Sequence, residues 1–152
     1  MALTKIKPDV IDETLDYSFD NIDANTISIF GTSTFQQSTE KIQTKTGATG
    51  TVTHDYSLGA LFYHSSISAN FTANITNVPT TNDRSIVVSL ILDQGVTAYI
   101  PNALQIDGSA QTINWVGGAT PTPIANKKEI VSFVLLRVSS NWIVLGSIST
   151  YG

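Results

Sequence analysis

Three predicted strands in the second half of the chain are apolar on both faces, and this pattern limits the possible folds more than any other feature. They cover residues 84–92, 129–138 and 141–149. An antiparallel sheet usually buries one face and exposes the other. A sheet that is apolar on both faces must be covered twice, once by its partner sheet and once by something else.

The second cover is expected to be another copy of the chain, because no helical pattern is present that could supply it. The alternative is that the loop 117–128 folds over the face. The outward positions expected at such an interface are Val87, Ile91, Ile143 and Leu145. The core is expected to include Ile86, Val88, Leu90, Val134, Leu136, Trp142 and Val144.

The remainder of the chain from residue 26 onward also has a β pattern. Short apolar or alternating segments recur every 8–12 residues between Gly, Pro, Asn and Asp turn signals, which is typical of a sandwich or a barrel. We therefore predict an all-β fold, an antiparallel, jelly-roll-like β-sandwich over residues 26–152. The predicted strands are 26–30, 37–44, 51–55, 60–65, 71–76, 84–92, 98–100, 104–106, 111–115, 129–138 and 141–149.

Residues 1–25 form a separate acidic arm. The arm holds six acids and two lysines, so its net charge of −4 equals that of the whole chain. Either an extended, partly helical segment or a stable helix fits the pattern, and neither is stable alone. The arm is expected to attach the protein to a neighbour. The apolar side chains available for this docking are Ile11, Leu15, Phe19 and Ile22.

Composition argues against several classes of function. The chain has no cysteine, so disulfides and thiolate metal sites are ruled out. Charged residues make up only 13% of the chain and form no basic stripe, so nucleic acid is not an expected partner. The N-terminal sequence has no long apolar run, so neither a signal peptide nor a membrane span is expected. No cofactor is expected.

The two histidines are the main candidates for chemistry. A hairpin at Leu58–Gly59 would put His54 and His64 on neighbouring strands but on opposite faces. One would then bond within the sheet while the other lined an interface; a shared metal site would require a slip in register. No catalytic motif is present and the acids are scattered, so we do not expect an enzyme.

Several segments resemble a known family: residues 74–84, 104–108, 111–115, 140–147 and 151–152. They are similar to a module of virion structural proteins from marine tailed phages, particularly cyanophages, where it often ends tail-fibre-like or appendage proteins. The likeness covers roughly residues 40–152. It implies a homotrimeric adaptor or appendage that is made in the host cytoplasm and incorporated into the virion, joined to other virion proteins through residues 1–25.

Three other functions remain open on the sequence. A capsid decoration protein on the phage head would share the resemblance. A carbohydrate-binding module that recognises a host glycan would need exposed aromatic side chains. The candidates for that role are Tyr63, Tyr99, Trp115, Trp142 and Tyr151. A depolymerase is the third, but it would need acids clustered in a cleft.

Overall fold

The computed structural model describes residue 27 and residues 31–152, in two units. The first unit comprises residues 1–37 and the second Ser38–Gly152. The described residues of the first unit include no strand or helix. The predicted arm 1–25 lies outside the described residues, as does the predicted strand 26–30 except for Ile27.

The second unit is all-β, which confirms the predicted fold class. Two short 3-10 turns, Tyr56–Leu58 and Val116–Gly118, interrupt the strands. No helix among the described residues is long and apolar enough to cross a membrane. The strands are β1 (Ile42–Thr46), β2 (Gly50–Asp55), β3 (Leu61–Ser65), β4 (Phe71–Thr76), β5 (Arg84–Asp93), β6 (Pro101–Ile106), β7 (Ser109–Gln111), β8 (Ile113–Trp115), β9 (Lys128–Val138) and β10 (Asn141–Tyr151).

The strands form two sheets, and the chain alternates between them from β1 to β6. Sheet A has the order β1-β3-β5-β9-β10-β8, and sheet B has the order β2-β4-β6-β7. Each of the pairs β1–β2, β3–β4 and β5–β6 therefore forms one turn of a coil, with one strand in each sheet. We call these turns coil 1, coil 2 and coil 3. The hairpin β9–β10 continues sheet A beyond coil 3.

The predicted antiparallel pairing is wrong for most of the strands that the structure describes. Five of the eight strand pairs are parallel, and only β5–β9, β9–β10 and β6–β7 are antiparallel. The reason lies in the corners that follow β1 and β3. Gly47 and Ser66 have positive φ values of 69° and 51°, which turn the chain towards the other sheet instead of back along its own strand.

The core lies between the two sheets. Sheet A contributes inward side chains from β3, β5, β9 and β10, and sheet B contributes them from β4 and β6. The predictions for Val88, Leu90 and Val144 are confirmed, and Ile86 and Trp142 pack against the core while partly exposed. The largest apolar side chains that are fully buried are Phe62, Phe71, Ile75, Leu90, Leu92, Leu104, Phe133 and Leu135.

Two predicted core residues, Val134 and Leu136, are on the opposite face. Strand β9 turns Val131, Phe133 and Leu135 inward, so its even-numbered residues point outward. Both sets of residues are apolar. The alternation of hydrophobicity therefore could not decide which set faces the core.

The contact between β10 and β8 depends on a glycine. Gly146 pairs with Trp115 in the parallel ladder and is itself buried. A Cβ atom at position 146 would lie 2.7 Å from both Ile113 Cγ2 and Trp115 Cε3. The absence of a side chain thus allows the Trp115 ring to reach Phe133, with 5.8 Å between the ring centroids.

Gly146→Ala is expected to lower the free energy of unfolding by about 1–3 kcal/mol, because the added methyl group overpacks the Trp115 site. Urea unfolding followed by Trp fluorescence measures this change. Gly95→Ala is the matched control, since nothing lies within 4 Å of a Cβ at that position. Equal stability of the two variants would contradict this account of the β8–β10 contact.

Candidate functional site

The outer face of sheet A is apolar across three neighbouring strands. Val87 on β5, Val134 on β9 and Leu145 on β10 are register partners and form one cross-strand row. Leu136 and Ile143 form the next row, and Ile91 and Ile130 form another further along. We call this surface the sheet A patch: Val87, Ile91, Ile130, Val134, Leu136, Ile143 and Leu145.

A row of serines crosses the sheet A patch. Ser89, Ser132 and Ser147 are register partners, and the hydroxyls of Ser89 and Ser132 lie 3.3 Å apart. The hydroxyls of Ser89 and Ser132 can hydrogen-bond to each other, so the serine row depends little on hydrogen bonds to water. The sheet A patch holds no charged side chain.

The outer face of sheet B has the opposite character. Thr53, Asn74 and Gln105 form one cross-strand row, and Thr51 and Thr72 lie in the next. These hydroxyl and amide groups are satisfied by water, so this face needs no second cover. Only sheet A therefore leaves an apolar outer face to be covered.

Four of the predicted interface residues come together in this way. Val87, Ile91, Ile143 and Leu145 all lie on the sheet A patch. The other four, Ile11, Leu15, Phe19 and Ile22, lie outside the described residues.

The loop 117–128 does not cover the exposed members of the patch. Val87, Ile143 and Leu145 remain 51%, 41% and 43% exposed with this loop in place. The loop's own Ile124 is 49% exposed. The alternative of burial by this loop is therefore wrong for these three residues.

A groove extends the sheet A patch to the edge of the sheet. It has a volume of about 360 Å³ and lies where β8 runs beside β10. Val134 and Leu145 of the patch form part of its wall. The remaining lining residues are Asn114, Trp115, Val116, Gly146 and Ser147.

The two histidines are in contact, which corrects the expectation that they lie on opposite faces. The segment around Leu58–Gly59 is a 3-10 turn that crosses from sheet B to sheet A, so β2 and β3 do not form a hairpin. His54 and His64 consequently both point into the space between the sheets. Their Nε2 atoms are 2.9 Å apart, which is a hydrogen bond between two fully buried imidazoles.

Burial controls the protonation of this histidine pair. Burial, followed by the neighbouring His64 and Lys45, lowers the pKa of His54 to about 3. Burial and Lys45 together lower the pKa of His64 to about 4. The rings pack against the apolar side chains of Phe62 and Phe71. Both imidazoles are therefore neutral at pH 7.

The histidine pair offers too few ligands for a metal site. Structural zinc normally takes four ligands, and the pair supplies two. In the part of the chain that the structure describes, no group of three His, Cys, Asp or Glu residues is placed to hold a metal ion.

Glu129 is a fully buried acid that the sequence reasoning passed over as one of several scattered acids. Its Oε2 accepts a hydrogen bond from Gln94 Nε2 at 2.7 Å. Its Oε1 accepts bonds from the backbone N–H of Ile124 and from Thr150 Oγ1, both at 3.0 Å. Gln94 in turn holds both backbone groups of Tyr99. This carboxylate therefore fastens two loops and β10 to the start of β9.

Three of the five aromatic residues suggested for sugar binding make side-chain contacts within the protein, whereas Tyr151 is 54% exposed. Trp115 packs against Phe133 in the core, and Trp142 lies beneath the Arg137 guanidinium, with 4.8 Å from its Cζ to the ring centroid. Tyr63 donates a hydrogen bond to Asp93. The geometry thus favours structural roles for these three rings.

Glu129→Ala is expected to lower the free energy of unfolding by about 2–4 kcal/mol, because it leaves Gln94, the Ile124 N–H and Thr150 without their acceptor. Chemical denaturation measures the loss. Asp93→Ala is the control: it removes an exposed acid paired with Lys128 at 2.5 Å and should cost less than about 1 kcal/mol. An equal cost for both variants would contradict the anchoring role of Glu129.

Stability should fall as the pH drops from 7.5 to 5.5. The folded-state pKa values of His54 and His64 lie below the ordinary value of 6.5, so the unfolded chain binds more protons in this range. The loss at pH 5.5 is about 1.4 kcal/mol for each histidine. Urea titrations at both pH values test this. The double variant His54→Leu, His64→Leu should show little pH dependence, and an unchanged slope would assign the effect to other groups.

Comparison of the chain with protein-family models, with curated proteins and with solved structures finds no match.

Proposed function

We propose that this protein is a non-enzymatic, homo-oligomeric structural component of a tailed-phage virion, acting as an adaptor or appendage associated with the tail or tail fibre. The observation that carries the proposal is the apolar outer face of sheet A. The unit encloses a complete core between its sheets, so the sheet A patch is surplus to folding the monomer. A large apolar surface of this kind marks a contact with another protein.

The size of the sheet A patch suits the centre of a protein interface. The rise per residue places the outermost rows of the patch roughly 20 Å apart along the strands. The spacing between strands places its two outer strands, β5 and β10, roughly 10 Å apart. The groove at the β8 edge and the flanking side chains enlarge this area. A stable interface buries about 800 Å² on each partner, so the patch would form the dry centre and its surroundings the polar rim.

The chemistry of the sheet A patch favours a second copy of the chain over a glycan. Valine, leucine and isoleucine side chains offer no hydrogen bonds to sugar hydroxyls, and the hydroxyls of Ser89 and Ser132 lie within bonding distance of each other. Another sheet with the same apolar rows supplies a matching surface. Two such patches facing each other would close a dimer, whereas in a trimer three copies of the patch meet around a three-fold axis. The trimer is the state that the family resemblance favours.

The phage assignment rests on the family resemblance, which covers roughly residues 40–152. The acidic segment 1–25 is the proposed point of attachment to another virion protein. A decoration protein on the phage head is the second candidate, and it would use the same oligomeric interface. A cryo-EM map of the assembled particle distinguishes the two by the position of the density.

The full-length protein is expected to be a trimer at micromolar concentration, and Val87→Asp or Leu145→Asp should convert it to folded monomers. Burying an unpaired carboxylate between subunits costs several kcal/mol, whereas both positions tolerate Asp in a monomer because they are half-exposed. Light scattering after size-exclusion chromatography reports the mass, and circular dichroism confirms folding.

Thr51→Asp is the matched control, because it places the same charge on the polar outer face of sheet B. This variant should remain a trimer. A monomeric parent protein would overturn the proposed oligomer. Dissociation by Thr51→Asp would move the interface to sheet B.

Deletion of residues 1–25 should leave a folded, oligomeric body that no longer joins its particle. The reason is that all strands of the described fold lie after this segment. The measurement compares incorporation of truncated and full-length protein into particles that lack the protein. Equal incorporation would place the attachment surface on the β body, and unfolding of the truncated protein would make the arm part of the core.

A further inference from the structure

Coil 1 differs from coils 2 and 3 in what its first strand turns inward. The inward positions of β1 are Gln43 and Lys45, which pair in register with the buried residues Phe62 and His64 of coil 2. Gln43 Nε2 bonds across the end of the stack to the backbone oxygens of Asp55 and Gly59, at 3.2 and 3.3 Å. A polar side chain therefore closes the end of the core here.

The main side-chain link between coil 1 and coil 2 is the bond between the histidines. His54 belongs to β2 in coil 1, and His64 belongs to β3 in coil 2. The other inward side chains of coil 1 are small or partly exposed, namely Ala48 and Val52. The remaining connections are the backbone ladders β1–β3 and β2–β4 and several hydrogen bonds nearer the surface. Among these, Asn77 Nδ2 donates to Asp55 Oδ1 at 2.9 Å, and the hydroxyls of Thr46 and Ser65 lie 3.4 Å apart.

The protonation states of the pair follow from this bond. One imidazole donates its Nε2–H to the Nε2 of the other, so one Nδ1 is a bare acceptor and the other carries a hydrogen. Neither Nδ1 has a hydrogen-bond partner of normal geometry among the described residues, although the Val52 and Asn74 backbones lie nearby. An added proton would go to the bare Nδ1, where no acceptor of normal hydrogen-bond geometry lies among the described residues.

The surroundings of the histidine pair disfavour an added positive charge. Phe62 on β3, Phe71 on β4 and Leu92 on β5 are apolar neighbours of the pair. The charged group that faces it is Lys45 on β1, which is a cation. No described carboxylate contributes to balancing the charge of either ring. Above pH 5 the buried rings stay neutral, because their pKa values are about 3 and 4, so proton binding in this range accompanies the departure of a ring from the interior.

We propose that the His54–His64 pair is an acid-sensitive latch whose protonation releases coil 1, residues 42–55, from coil 2 while coil 3 and the β9–β10 hairpin stay folded. Release exposes both imidazoles to water and separates them from Lys45. The strands of the sheet A patch, β5, β9 and β10, lie on the far side of coil 2 from β1. The latch thus acts at the end of the body that is joined to the N-terminal segment, independently of the proposed oligomer.

Hydrogen exchange of the full-length protein, measured by mass spectrometry at pH 7.5 and pH 5.0 and corrected for intrinsic exchange rates, tests the latch. Peptides covering residues 42–55 should lose protection by roughly 30-fold for each histidine that gains a proton on release. Peptides covering β9 and β10 should keep their protection. Equal loss across the whole body, or full retention in coil 1, would overturn the proposal.

Two variants assign the effect to named groups. His54→Leu combined with His64→Leu replaces both partners by apolar groups of similar size and should leave coil 1 protected at pH 5.0. Lys45→Met removes the facing cation and should shift the midpoint of release to lower pH, whereas Lys41→Met, outside the strand, should not. If the double variant fails to fold, the pH midpoint of release in Lys45→Met still tests the proposal. Identical midpoints for Lys45→Met and Lys41→Met would overturn the latch.

Discussion

The three-stranded unit β5–β9–β10 is the constraint on which the rest of the structure depends. Its strands are the longest of those that the structure describes, and both of their faces are apolar. One face closes the core against sheet B through Leu90, Phe133 and Leu135. The other face remains open. The hydrophobic effect drives folding of the monomer through the first face, and it supplies the driving force for association through the second.

The two edge strands of sheet A are protected from further strand pairing in different ways. At one end, β1 places Gln43 and Lys45 in register with buried residues of coils 2 and 3, namely Phe62, His64, Leu90 and Leu92. Inward polar or charged groups of this kind discourage an edge strand from adding further strands. Stacked repeats in general need an atypical terminal repeat with this role. At the other end, β8 closes against β10 through the space left by Gly146. The edge strand β8 is itself only three residues long, and so short an edge offers few free backbone groups to a further strand. Polar inward side chains therefore limit growth of the stack at one edge, and strand length limits it at the other.

The sequence predicted most strands of the second unit but few of their partners. The predicted strand 98–100 is wrong, and the predicted strand 111–115 is divided between β7 and β8, which lie in different sheets. The bounds of β4, β9 and β10 follow from local alternation and from turn residues, which are properties of neighbours in the chain. The parallel pairing arose from corners such as Gly47 and Ser66, whose positive φ the sequence did not reveal. Both faces of β9 are apolar, so the sequence could not show whether Val134 and Leu136 face the core or the outside. The His54–His64 contact was missed for the same reason as the pairing, because a hairpin and a coil corner place the same two residues on different sheets. The burial of Glu129 had a weak signal, an acid directly before a long apolar strand.

The polar outer face of sheet B has a consequence for the medium in which the protein can remain dispersed. Its rows of threonine, asparagine and glutamine carry no net charge, and they bind water through neutral hydroxyl and amide groups. Salt shortens the range of charge–charge repulsion from about 8 Å at physiological ionic strength to about 3 Å at 1 M. A surface that does not rely on such repulsion keeps its hydration across that range, so the outer face of sheet B adds little salt dependence to the solubility of the protein.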